Sequence, residues 1–233
     1  RFAGLAEAKN FERFCAKARS VYDTLQAPYI QSPSPSVVQI MKALGPRGLG
    51  VLASLGAMSS LWDSLGRYFK DQRMRQLFAR YATYCGSSPW LAPATLMLIA
   101  QVEMDGVWSI EGGMHALPRC LERMAKERGV TFMYGQPCKS IDTRGGKVSG
   151  VSLGEGGYLP ADAVVFNGDV SALHAGLLGA DVGRPTAQAS RERSLSAITW
   201  SMVAKTSGMP LERHIVFFHN TYADEFEAIF NRK

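Results

Sequence analysis

Four histidines, four cysteines and a scatter of carboxylates are the residues of this 233-residue chain with ordinary catalytic or ligating chemistry. His115, His174, His214 and His219 have no spaced ligand partner, and Cys15, Cys85, Cys120 and Cys138 form no C-x-x-C pair. A structural zinc site or a disulfide scaffold is therefore not expected, and no metal is assigned. There is no G-x-S-x-G elbow, H-E-x-x-H pair, phosphate-binding loop or paired-carboxylate motif, so hydrolytic chemistry lacks its usual residues. Asp105 and Glu111 are carboxylates that could take a proton, but a surface role is the favoured account of both, and no catalytic residue is assigned. What remains is glycine: Gly106, Gly112-Gly113, Gly129, Gly145-Gly146, Gly154 to Gly157 and Gly168 punctuate one continuous stretch. Glycine corners let a large planar group approach the backbone closely.

The elements that must hold those corners follow from periodicity. Phe11, Phe14, Ala18, Val21, Tyr22 and Leu25 recur at helical spacing until Pro28 stops the run. A Ser-Pro alternation over 32–36 precedes a short helix over Val37–Leu44. Asp71 is placed to cap a helix carrying Met74, Leu77, Phe78 and Tyr81 on one stripe. Leu91 to Met104 is apolar on nearly every side, as expected of a buried helix or the wall of an apolar tunnel. Beyond Gly106 the period changes. Strands are expected over 107–110, 130–134, 137–142 and 147–153, with a helix from Leu117 to Ala125 ended by Gly129. Ala163-Val164-Val165-Phe166 shows no alternation, as in a strand covered on both faces, and it runs into Asn167-Gly168-Asp169. Further strands are expected over 195–205 and 215–218, then a helix from Tyr222 to Phe230. The fold class read from this order is α/β, with ligands expected at the carboxyl ends of sheet strands.

Composition narrows the partners. The formal charge is +6 and 46% of residues are hydrophobic, which excludes a disordered tail. Arg67, Lys70, Arg73, Arg75 and Arg80 concentrate positive charge, as a solvated helix face, a contact for lipid headgroups or, less simply, a nucleic-acid patch. No basic stripe with stacking aromatics accompanies them, so nucleic acid is not an expected partner. The charge-free run from Tyr81 to Val102 is broken by glycine, serines and prolines and cannot cross a bilayer as one helix. No charged and apolar leader is present, and Arg1 in the approach to a helix gives the start the look of a cut from something longer.

At the level of motifs the chain resembles a family. Tyr81-Ala-Thr-Tyr-Cys-Gly86-Ser-Ser-Pro89 resembles the "ATYxGxxP" segment of bacterial carotenoid desaturases, the phytoene desaturase family. Gly106-Val-Trp108-Ser-Ile-Glu-Gly112-Gly113-Met114-His-Ala-Leu117 is similar to its "GVWxxxGGMxxL" segment. Gly145-Gly146-Lys147-Val148-Ser-Gly150-Val151 and Ala161-Asp-Ala-Val-Val-Phe-Asn167-Gly168-Asp169 are similar to its "GGxVxGV" and "ADAVVxNAD" elements. His219 to Phe230 also resembles that family, within which the hydroxyneurosporene/methoxyneurosporene branch is most alike.

The resemblance implies an FAD-dependent, two-domain flavoprotein of the amine-oxidase-like class. On that basis residues 1–104 would form a helical substrate- and membrane-associating subdomain, 105–170 part of the FAD-binding domain and 171–233 part of the substrate domain. It implies hydride transfer from an acyclic carotenoid to the flavin, with a hydrophobic polyene as substrate and a cytoplasmic location peripheral to the membrane. Gly112, Gly113 and Met114 would bring backbone to the isoalloxazine ring, Cys138 would offer main-chain hydrogen bonds to the adenine, and Asn167, Gly168 and Asp169 would border the flavin cleft. Gly48 to Trp62 would be an interfacial segment. Three departures stand out: no G-x-G-x-x-G turn is present, the chain ends before the family's second flavin motif, and Gly168 replaces the usual alanine. The lone chain is therefore expected to bind FAD weakly or not at all. Carotene isomerisation, another flavin amine-oxidase activity, and a non-catalytic apolar-ligand module remain the alternative readings, and the oligomeric state is left open.

Overall fold

The stripe of Phe14, Ala18, Val21 and Leu25 is the buried face of a 21-residue helix, α1 (Leu5–Leu25). The computed structural model describes residues 3–34, 36–45, 53, 56, 59–182, 194–212 and 214–231. Pro28 does not end α1 abruptly. It sits in a one-turn π-helical extension, Gln26–Ile30, where the Gln31 N–H reaches the Gln26 carbonyl at 2.8 Å. A π turn accommodates the missing proline N–H by widening the helix before it stops. Helix α2 (Val37–Leu44) starts where Ser36 accepts the Gln39 N–H at 3.1 Å. Helix α3 (Leu61–Gly66) is capped by Ser60, and α4 (Gln72–Ala79) by Asp71, whose carboxylate accepts the Arg73 N–H at 2.9 Å. The short α5 (Tyr81–Tyr84) follows at once.

Two compact units make up the chain: residues 1–108 with 194–233, and residues 109–193. The first is helical and built on aromatic packing. Phe14 lies 4.5 Å from Phe78 and 5.2 Å from Phe69 between ring centroids. Trp62 and Trp90 lie tilted against each other at 4.9 Å between centroids, and both meet Tyr222 of helix α9 (Tyr222–Asn231; α6 to α8 are defined below). Tyr222 and Phe226 are buried there, so the C-terminal helix belongs to the helical unit. Glu7 ties α1 to the start of α4: its buried carboxylate accepts the Lys70 N–H at 2.9 Å. The stretch expected as one apolar helix over 91–104 is instead a turn, a 3-10 segment (Ala94–Met97) and α6 (Leu98–Asp105). Pro93 breaks the run, since the residue before a proline leaves the helical region. The segment 48–62 lies largely outside the described residues.

The second unit holds α7 (Ala116–Lys126), a three-stranded antiparallel sheet and α8 (Val170–His174). Gly129 has φ +83° just past α7, the left-handed stop that its position predicted. Strands β1 (Cys138–Arg144) and β2 (Lys147–Leu153) form a hairpin around Gly145-Gly146, and β3 (Tyr158–Pro160) pairs with β2. Gly150 is needed at that pairing, because a Cβ there would collide with the Leu159 carbonyl and the Tyr158 ring. Helices together with a small antiparallel sheet are consistent with the α/β class.

Five expected strands are not strands. Residues 107–110, 130–134, 163–166, 195–205 and 215–218 run without ladder pairing among the described residues. Val165, read as covered on both faces, is 95% exposed. A strand exists only with a neighbour to receive its N–H and C=O groups, and these runs find none here.

Asp142 on β1 gives the sheet an acid sensitivity. The Ser152 and Ser140 hydroxyls donate to its carboxylate, the latter at 2.8 Å, and hold it below the usual carboxylate range. A depressed folded-state value means the contribution is complete above the ordinary carboxylate range and is lost as pH falls through the folded value. Asp142→Asn is therefore expected to flatten the acid limb of the stability curve below about pH 4. Urea midpoints measured across that range test it; parallel curves for the two proteins would refute the role of Asp142.

Candidate functional site

The Gly112-Gly113 corner takes the conformation that only glycine adopts freely, with φ of +78° and +83°. The Gly113 N–H closes the turn on the Ile110 carbonyl at 2.9 Å. Met114 and His115 then lead into α7, whose first amides return to the corner: Ala116 N–H to the Gly113 carbonyl at 3.0 Å. A Cβ on Gly113 would meet nothing within 4 Å, and one on Gly112 would meet only the Ala116 methyl at 3.8 Å. The backbone of the corner thus faces open space. That fits the edge or face of a flat ring system brought against main chain. Met114 projects beside it, 69% exposed.

An open hollow of about 380 Å³ begins at this corner, lined by Gly112, His115, Ala116, Arg119, Cys120 and Arg123. The arginines recur every fourth residue along α7, which puts both on the same side as His115. The glycines of this corner are legible in the sequence, whereas nothing in the spacing shows that Arg119 and Arg123 border a hollow.

The other positions expected at the cofactor lie elsewhere in the same unit. Cys138 opens β1, exposed, with its thiol directed to the Ser140 carbonyl at 3.7 Å. Asn167 and Gly168 are exposed, and Asp169 caps α8 by accepting the Ser171 N–H at 2.8 Å. Gly168 has its own reason to be glycine: the Phe166 ring lies where a Cβ would be. None of Cys138, Asn167, Gly168 or Asp169 lines the hollow at Gly112. Asp105 accepts a hydrogen bond from Gln101 at 2.7 Å, and Glu111 is exposed. No group of three His, Cys, Asp or Glu side chains arranged for a metal occurs among the described residues.

The helical unit carries a second polar constellation that local patterning did not disclose. Glu103 on α6 receives Arg80 at 3.0 and 3.1 Å and the Tyr81 hydroxyl at 2.7 Å. Tyr84 donates to the same carboxylate at 3.4 Å and is itself bonded to Arg80. Burial, reinforced by the Glu103 carboxylate, pushes the Tyr81 phenol far above its ordinary value. Burial opposes the Arg80 charge, but Glu103 more than compensates and the guanidinium is held above its usual value. The partners stand 22 and 23 residues apart, so no spacing rule links them.

The basic stretch is likewise mostly spent internally. Arg73 pairs with Asp71 at 2.6 Å, and that hydrogen-bonded contact drives the Asp71 carboxyl down to about 2. Arg75 donates to the Trp62 carbonyl at 2.8 Å with its guanidinium 3.9 Å from the indole centroid. A cleft of about 430 Å³ in this unit is bounded by Gln72, Gln76, Leu77, Phe218 and His219, with Gln76 donating to the His219 carbonyl at 3.0 Å. No described helix is long and apolar enough to cross a membrane.

The profile of the flavin containing amine oxidoreductase family matches residues 44–205. The hydroxyneurosporene desaturase of Rubrivivax gelatinosus is 54% identical over 233 residues, 100% of this chain and 44% of its own length. That of Cereibacter sphaeroides is 43% identical over 98% of this chain and 46% of its own length. The 1-hydroxycarotenoid 3,4-desaturase of a Flavobacterium species is 37% identical over 77% of this chain and 36% of its own length. The chain spans less than half the length of the curated relatives it matches.

Proposed function

Because the chain belongs to the flavin containing amine oxidoreductase family, we propose that it is part of an FAD-dependent desaturase of acyclic carotenoids. The observation that carries this reading is the 54% identity, across all of this chain, to a hydroxyneurosporene desaturase. The reaction removes a hydride and a proton from adjacent carbons of the polyene and leaves a new carbon–carbon double bond. FAD, when bound, supplies the two-electron acceptor for that hydride. The residues of this chain orient and enclose. Gly112 and Gly113 admit the ring to main-chain contact, Met114 offers an apolar flank, and Cys138 presents backbone at the mouth of β1. Asn167, Gly168 and Asp169 form the edge of the flavin cleft in this reading, with the Asp169 cap fixing the turn. The helical unit, rich in aromatic and aliphatic side chains, takes the substrate side and the membrane surface from which a lipid-dissolved polyene arrives.

Two measurements test this. The gene segment, grafted into the Rubrivivax gelatinosus protein in place of the part it matches, is expected to shift the absorption of an acyclic carotenoid to longer wavelength in a pigment-producing host. A graft that folds, binds FAD and leaves the spectrum unchanged would refute the desaturase reading. The separate 233-residue chain is expected to bind FAD weakly, since its sequence lacks the glycine-rich turn that holds a pyrophosphate at a helix N-terminus. Flavin fluorescence quenching checks it, and a yellow preparation after gel filtration would overturn it. Flotation with anionic vesicles tests the membrane contact, which a chain left wholly at the bottom of the gradient would contradict.

A further inference from the structure

The cleft beside α4 in the helical unit has a divided lining. Leu77 and Phe218 make its apolar part, and the amides of Gln72, Gln76 and Asn220 with the imidazole of His219 make its polar part. Gln76 is only 6% exposed, and its amide nitrogen donates to the His219 carbonyl at 3.0 Å. That bond fixes the carboxamide, whose oxygen takes no hydrogen bond from the described residues and opens on the cleft. The His219 ring is fixed in turn, with Nδ1 held against the Thr221 backbone at 2.8 and 3.1 Å. Arg73 is the charged side chain described in this lining, and Asp71 pairs with it at 2.6 Å. A buried polar atom without a partner is costly, and each of these amides can both donate and accept.

We propose that this cleft binds the hydroxyl-bearing end of an apolar chain, with Gln76 Oε1 accepting the hydroxyl proton and the Gln72 or Asn220 amide donating to its oxygen. The lining selects that chemistry. A pure hydrocarbon end would cover Leu77 and Phe218 but strand the buried Gln76 oxygen without a donor. A ketone accepts and has no proton to give that oxygen. A carboxylate or phosphate would bring charge to a lining whose cation is already paired with Asp71. A hydroxyl does both halves of the work, and it carries no charge. The volume of about 430 Å³ lies low in the range of about 300–1,000 Å³ usual for ligand sites, room for one end of a long chain. That the chain is a polyene rests on the carotenoid-desaturase reading; the alcohol site itself stands on the cleft. Gln76 then separates hydroxylated from hydroxyl-free substrates, since a site built around a hydroxyl rejects the analogue that lacks it.

Side-chain amide NMR of the 233-residue chain tests it. The probes are dihydromyrcenol, a short terpenoid tertiary alcohol, and the hydrocarbon dihydromyrcene. The alcohol is expected to shift the Gln72, Gln76 and Asn220 amide signals, and the hydrocarbon to bind about tenfold more weakly. Gln76→Leu removes the acceptor and is expected to bring the alcohol down to the affinity of the hydrocarbon, read at Gln72 and Asn220. Leu77→Trp fills the cleft from a side chain 38% exposed and outside the buried core, so it tests the site even where Gln76→Leu does not fold. It is expected to abolish the shifts. Equal affinity for the two probes, or no shift with either, would overturn the proposal. So would alcohol binding undiminished by Gln76→Leu or by Leu77→Trp. The readout involves no turnover and is separable from the carotenoid reading. Alcohol binding beside a folded, FAD-loaded but inactive graft removes the desaturase and keeps the site, and an active graft beside a chain blind to the alcohol does the reverse.

Discussion

Phe14→Ala is expected to remove about 3–5 kcal/mol of stability, the cost of a large aromatic deleted from a packed interior. Phe14 is fully buried on α1 and touches the rings of Tyr68, Phe69 and Phe78, so its loss leaves a void bounded by three other aromatics. Those rings come from the loop before α4 and from α4 itself, and they cannot all collapse onto one small methyl group. Set against a typical total of about 5–15 kcal/mol, the change takes much of the reserve. Urea unfolding followed by tryptophan fluorescence reads it, because Trp62 and Trp90 lie in the same cluster. Leu91→Ala, at a largely exposed side chain, serves as the comparison and is expected to fall within about 0.5 kcal/mol of the parent. A Phe14→Ala loss no larger than that of Leu91→Ala would show that the helical unit does not depend on this ring.

Glu103→Ala is the second large effect, at about 2–3 kcal/mol, the scale for hydrogen bonds to a charged group. The loss is not confined to one contact. Removing the carboxylate strands the Arg80 guanidinium, whose side chain is only 18% exposed, and leaves the buried Tyr81 hydroxyl without its acceptor. Tyr81→Phe deletes one donor but keeps the ion pair, so a smaller loss of about 1 kcal/mol is expected. The double variant separates the two: the combined loss should be less than the sum, since both substitutions break the same hydrogen bond. Strict additivity would mean that the cluster does not act as a network.

Those two sites also mark what could be read before any coordinates. Asp71 and Gly129 announced helix ends correctly, because capping depends on atoms within a few residues. Gly145-Gly146 announced the β1–β2 hairpin for the same reason. The run 163–166 misled, as did 130–134 and 195–205, since a strand is defined by a neighbour distant in sequence and these runs find none among the described residues. The Gly112-Gly113 corner was legible as a tight turn, and its positive φ values agree with that. Its arginine-lined hollow was not, because which face of α7 borders a concavity depends on tertiary placement. Glu103 was invisible for the same cause: nothing in a run of Gln-Val-Glu-Met-Asp tells that Arg80 and Tyr81 will fold back onto its middle carboxylate.

The docking of Tyr222 and Phe226 among the Trp62 and Trp90 rings carries a consequence for biosynthesis. One unit is interrupted by the other along the chain, so the helical part emerges from the ribosome in two instalments. Its first instalment leaves the tunnel with two indoles waiting for a partner, and the closing helix arrives only after all of residues 109–193 have been made. Nascent chains of this protein therefore pass through a stage in which greasy surface is on display, the stage at which a holdase chaperone has most to bind.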